Sequence, residues 1–242
     1  MALNRVFVAG ALFVVAALLL VRTALAQMAF YIHPRYEVLL YFCAAFVFVF
    51  ALVVMTHRGQ LPRATLPIVL VPLLLGGLIV PAPLRSTTLL QQGASLNRVA
   101  QRVNSASLDI DVATVDTKLW SLYDWAVASS VDIAPLVGRP AKVSGFVVFP
   151  GDLGLPPDQL MLARYVLTCC VADAGGVGVR VQWPAAQSLV SDQWVEVTGV
   201  MQSIPVGDTV QPLLIATRIE IIDPPKKPYL TTDTPPAGAT AP

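Results

Sequence analysis

The sequence predicts an α+β protein in which three N-terminal transmembrane helices precede a C-terminal all-β domain resembling an OB-like barrel. Three observations lead there. Of 242 residues, 55% are hydrophobic and only 13% charged, where soluble domains carry about a quarter charged residues. Nearly all of that apolar excess lies in the first 84 residues. From Gly138 onward the texture changes to short alternating segments rich in Val, Ile and Thr, separated by Pro, Gly and Asp, the pattern of a small β unit.

The expected organisation is a transmembrane region over 1–85, with spans near 6–26, 37–56 and 65–84. A connecting region follows over 86–137, then the β-domain over 138–223 and an extended or disordered tail over 224–242. Val6 to Val21 and Val38 to Met55 contain no charge and approach the ~20 apolar residues a span requires. Leu66 to Val80 is shorter and carries Pro67 and Pro72. Each proline removes a backbone donor that lipid cannot replace, so such a helix suits the inside of a complex.

Ala24 to Ala26 form an A-x-A pattern, yet Arg22 stands just before it and further apolar runs follow, so an uncleaved polytopic chain is expected. Basic residues flank both sides of the spans; Arg5 before the first one tips the β-domain towards the extracytoplasmic side of a cell membrane crossed several times. Tyr31-Ile32-His33-Pro34-Arg35 between the first two spans reads as a water-boundary anchor. Cys43, within an apolar run, reads as a small hydrophobe.

In the connecting region, Asp116-Thr117 are positioned to cap a helix whose apolar positions Leu119, Leu122, Tyr123 and Ala126 follow helical spacing. Trp120 and Trp125 widen that face. Strands are expected at Ala141 to Phe149, Leu160 to Cys170, Gly176 to Trp183, Trp194 to Ser203 and Leu213 to Ile222, with one or two helical turns in 184–190. Val177, Val179 and Val181 should face inward and Arg180 and Gln182 outward. In the last strand Ile215, Ile219 and Ile221 should oppose Arg218 and Glu220. Five strands with a short helix after the third is the order of an OB-type barrel.

A formal net charge of +1 with no run of like charges offers nucleic acid no basic surface. Three cysteines are too few for a disulfide framework. The segment of interest is Cys169-Cys170-x-x-Asp173. Adjacent residues on a strand face opposite sides, so the two thiols meet only where the chain bends, as Ala174-Gly175-Gly176 permits. Two thiolates and a carboxylate suit zinc or a softer ion, but a closed zinc site takes four ligands and the β-domain has no histidine. Core or turn packing, metal contact and redox chemistry all stand open on this reading. A nucleophilic role would need a neighbouring base or cation, and none adjoins the pair in sequence.

The order of "YIHP", "PLRSTTLLQQG", "GFVVFP", "LARYVLTCCVADAGGVGV", "WVEVTGV" and "PPKKPYL" resembles a bacterial family of uncharacterised membrane proteins described as subunits of a two-component permease complex. The resemblance implies a partner, a larger polytopic permease subunit, with this chain as the smaller, non-enzymatic subunit carrying the β-domain. Carried to Cys169, Cys170 and Asp173, it implies a metal ion, zinc-like or softer, or a thiophilic solute. The alternative is a membrane-tethered protein-binding or scaffold module with structural cysteines.

Overall fold

The computed structural model describes residues 2–57, 62, 65–78, 82–91, 109–110, 115–148, 154–207, 209–232 and 239–240. It divides at Pro83 into a helical unit, 1–83, and a mixed unit, 84–242.

In the helical unit α1 (Ala2–Ala24) and α2 (Glu37–Thr56) are long and apolar enough to cross a membrane. They meet through small side chains: Val8, Ala9 and Ala16 of α1 and Ala44, Ala51 and Val54 of α2 are all buried. Small residues let backbones approach closely where no hydrophobic effect drives helices together. Phe13 and Phe48 add an edge-to-face pair at 5.1 Å. Most other apolar side chains of these helices point outward, among them Phe42 and Phe46, 68% and 72% exposed.

The third expected span is corrected. The helix α3 (Thr65–Leu78) has 14 residues, about 21 Å at 1.5 Å per residue, short of the ~30 Å hydrocarbon layer; 79–81 lie outside the described residues. Two helices rather than three therefore meet the length and composition of a span. Arg22 Nη2 donates to the Gly76 carbonyl of α3 at 3.2 Å and Arg5 donates to the His57 carbonyl after α2. His33 is a buried cap whose Nδ1 accepts from the Arg35 N–H at 3.1 Å.

In the mixed unit, α4 (Ser86–Gln91) is followed by α5 (Leu122–Val131) and five longer strands. These are β1 (Pro140–Val148), β2 (Gln159–Leu167), β3 (Gly175–Gln182), β4 (Trp194–Val206) and β5 (Thr209–Ile221). Their sheet order is β1-β4-β5-β3-β2, with Leu230–Thr231 added parallel to β2 and a further antiparallel pairing of β1 with β2. Among these five strands all neighbours are antiparallel except β3 and β5, which run parallel from Arg180↔Leu213 to Gln182↔Ile215. Gly145 of β1 is a close-approach point: a Cβ there would sit 2.6 Å from the Ala163 carbonyl of β2. The expected turns in 184–190 reduce to one 3-10 turn, Ala186–Ser188.

Several sequence expectations need revision. The helix begins at Leu122, not after Asp116. Ser121 and Asp124 form a capping box, with the Ser121 N–H donating to Asp124 Oδ2 at 2.7 Å, which satisfies two end donors at once. Asp116 caps only the 3-10 turn Thr117–Leu119, and Leu119 is 77% exposed. In β5 the isoleucine parity fails at a bulge: Thr198 pairs with Arg218 and Gly199 with Ala216, so Thr217 has no opposite residue. One extra residue reverses which side chains face in. Leu214 and Ala216 face the core before the bulge, Ile219 after it, and Ile221 is exposed. In β3 the valines are buried as expected. Of the tail, Ala239–Thr240 pair antiparallel with Asp109–Ile110, a strand where disorder was expected; 233–238 lie outside the described residues.

The strands β1 and β2 are covered on both faces. Val147, Leu162 and Val166 join an inner core with Trp120, Leu122 and Trp125, whereas Phe146, Val148, Ala163, Tyr165 and Leu167 join an outer cluster with Leu89, Ala174, Trp194 and Tyr229. The outer cluster is a clasp. Tyr165 Oη donates to the Arg85 carbonyl at 2.8 Å, and Tyr229 Oη accepts from the Leu84 N–H at 2.8 Å. Asp192 Oδ1 accepts from the Ser86 N–H at 2.6 Å. Arg164 lies 5.5 Å from the centre of the Trp194 ring and donates to the carbonyls of Pro228 and Lys227 at 3.2 and 3.1 Å. Burial lowers the Arg164 pKa to about 10, which leaves it charged at neutral pH.

Arg164→Ala is expected to cost about 2 kcal/mol, the usual scale for hydrogen bonds to a charged donor plus its stacking. The loss should appear first as faster amide hydrogen exchange in 223–231; unchanged exchange there would show that Arg164 does not hold this strap.

Candidate metal site

The strand β2 ends at Leu167, three residues before the expected Cys170, and the reason lies in one carboxylate. Asp173 Oδ1 accepts from the Thr168 N–H at 3.1 Å, and Oδ2 from the N–H groups of Cys169 and Cys170 at 2.8 and 3.4 Å. Three successive amides aimed at one side chain cannot also serve a sheet ladder, so the chain bends. Val171–Asp173 then form a 3-10 turn in which the Cys170 sulfur accepts from the Asp173 N–H, a reciprocal cap. Ala174 returns to the outer cluster and β3 begins at Gly175.

Cys169, Cys170 and Asp173 are thus brought together, as their spacing suggested, but on a turn rather than on a strand. The two sulfur atoms lie 3.7 Å apart and both thiols are free. One ligand atom from each of the three residues lies within 4.8 Å of the other two. Cys169 and Asp173 are exposed and Cys170 partly so. The third cysteine, Cys43, is on α2 and exposed among its apolar neighbours.

Hydrogen bonding to Asp173 and then to Cys170 pushes the Cys169 thiol up to about 12, so it is protonated at neutral pH. For Asp173, desolvation acts upward, but the Cys169 thiol and the three backbone N–H groups outweigh it and hold the carboxyl below its ordinary range. Because folding depresses this pKa, the ordered turn is favoured above the ordinary carboxylate pKa. That contribution is lost as pH falls through the depressed value.

The thiolate is the nucleophile of cysteine chemistry, so this arrangement makes Cys169 a poor one without a metal. Asp173→Asn should raise its alkylation rate at pH 7.5 by about tenfold or more by freeing the thiol to ionise. Timed iodoacetamide labelling with peptide mass analysis measures this; equal rates in both proteins would contradict the Asp173 hydrogen bond. A dication supplies the opposite influence, since a coordinated thiol gives up its proton outright. Two sulfur donors and a carboxylate are a donor set that suits soft and borderline ions.

The sequence did not disclose the clasp beside this turn. Its signal was present in the segments "PLRSTTLLQQG", "LARYVL" and "PPKKPYL": Leu84 and Arg85, Arg164 and Tyr165, and Lys227 to Tyr229 from those three segments meet one another.

Comparison with known proteins bears on this half of the chain. Residues 124–231 match the family model described as the DUF1980 C-terminal domain. Over 97 residues the chain is 28% identical to UPF0703 protein YcgQ of Bacillus subtilis (strain 168), a stretch covering 39% of this chain and 33% of that protein. The chain thus spans about a third of the length of the curated relative it matches. No solved structure matches. The match to the DUF1980 C-terminal domain runs from α5 through the cysteine turn to Thr231.

Proposed function

We propose that this protein is a non-enzymatic, membrane-anchored accessory subunit of a permease complex, whose β-domain holds a zinc-like or softer metal ion, or a thiophilic solute, at Cys169, Cys170 and Asp173. The observation that carries the reading is the meeting of two free thiols and an ionised carboxylate within 4.8 Å on an exposed turn. Both thiols lie outside the two core clusters of this unit, and with the carboxylate they form a donor set that suits a soft ion.

Membrane anchoring draws support from the outward apolar side chains of α1 and α2, which water would penalise and lipid would not. The cycle of pairings β1-β2-β3-β5-β4-β1, with β3 and β5 parallel, supports reading the β-domain as a five-stranded OB-type barrel. The short, proline-bearing α3 fits a helix covered by a larger polytopic partner, and Arg5 ahead of α1 supports reading the β-domain as extracytoplasmic.

The partner is tested by purification from the native host in mild detergent. A stoichiometric complex with a larger polytopic membrane protein is expected; recovery as a lone subunit under gentle conditions would count against the subunit role. One observation favours a second reading, a tethered protein-binding module: Asp173 accepts three backbone hydrogen bonds and so has a structural role in shaping the turn. Under that reading, removing both thiols changes neither metal content nor growth under metal limitation.

A further inference from the structure

We infer that the cysteine turn is a three-ligand site for a divalent d10 ion whose fourth position is left for an imidazole from outside the domain, making it a place where an ion is handed over. This deepens the metal reading above and rests on it. Three features of the turn combine.

The first is the bite of the thiols. Two metal–sulfur bonds of the length zinc prefers, across sulfur atoms 3.7 Å apart, would subtend roughly 107° at the ion, close to the tetrahedral angle. A linear two-coordinate ion would need the sulfur atoms further apart than this. The Asp173 carboxylate is the third donor, its approach fixed by the backbone amides it accepts from. The widest ligand separation of 4.8 Å must close by about 1 Å to reach a tetrahedral edge, and Cys169, exposed, has room to turn.

The second feature is the supply of donors. From residue 84 to 242 the chain contains no histidine and no other cysteine. Among the described residues no fourth His, Cys, Asp or Glu joins the group. A fourth nitrogen or sulfur ligand therefore has to come from outside this domain, and water fills the position otherwise. Closed structural zinc sites take all four ligands from protein; sites with three protein ligands leave the fourth position to water or an incoming ligand.

The third is charge. Two thiolates and a carboxylate around a dication leave one negative charge, so a neutral donor adds less repulsion than another anion. A partner's neutral imidazole meets that condition and is the commonest side-chain metal ligand. The turn is exposed, so such a donor has access without any rearrangement of the core.

The test uses the full chain in detergent, loaded with Co2+ as a spectroscopic stand-in and titrated with free imidazole. The expected result is sulfur-to-cobalt absorption that drops when Cys169→Ser and Cys170→Ser are combined, with saturable change in the visible cobalt bands as imidazole enters and the sulfur band retained. Cobalt bound by the thiols with visible bands indifferent to imidazole would overturn the open position while leaving the metal reading intact. Absence of any sulfur-to-cobalt absorption would overturn both.

Discussion

Trp125→Ala is expected to destabilise the β-domain by about 4 kcal/mol, the range for emptying a large aromatic site in a packed core. Trp125 is 1% exposed and stands edge-on to Trp120 at 5.0 Å. It carries α5 onto the inner core formed by Leu162, Val177 and Val179. Its indole N–H meets no acceptor among the described residues, so the residue contributes by volume and contact rather than by a hydrogen bond. Trp125→Phe, which keeps most of the volume and deletes that N–H, should therefore cost far less, about 1 kcal/mol. Urea titration of the full chain in detergent, read by pulse proteolysis, separates the two. Equal losses would mean that the nitrogen, not the ring, is what matters.

The second large effect is on ligation. Combining Cys169→Ser with Cys170→Ser should lower zinc affinity by more than about 100-fold, since both sulfur donors vanish and one carboxylate remains. Stability should change little, within about 0.5 kcal/mol, because the two side chains sit at the surface outside either core cluster. That separation matters for interpretation: a loss of metal at unchanged urea midpoint assigns the thiols to binding. A fall in stability of the size expected for Trp125→Ala would instead return them to the role of buried packing groups.

The inner fold was largely legible in the sequence, because period-two alternation reports directly which strand positions meet the core. Val177, Val179 and Val181 illustrate it. Alternation fails where the backbone departs from one residue per rung, as at Thr217; the mark of that bulge is Gly199 on the facing strand, which period-two counting passes over. It also fails to distinguish one covered face from two. Phe146-Val147-Val148 reads as a plain apolar run, and only the clasp of α4, Tyr165 and Tyr229 explains why Phe146 is buried on the face opposite Val147.

Helix ends were legible in kind and misplaced in position. Asp116 and Ser121 are both cap residues, and the winner is the one whose partner three positions later can return the hydrogen bond. At the candidate site the residues were readable from the sequence, but their convergence only as something a bend would allow. The end of β2 at Leu167 was not, because it depends on Asp173 drawing in three backbone donors that a strand would otherwise use. The clasp was unreadable in principle from local pattern, since its hydrogen bonds join residues as far apart as Leu84 and Tyr229.

The most direct measurement is the metal content of the full chain, purified from native membranes without chelator and analysed element by element, beside its Cys169→Ser/Cys170→Ser counterpart. The wild-type chain is expected to carry about one zinc-like ion and the double variant almost none. Equal trace amounts in both would contradict a metal site at this turn.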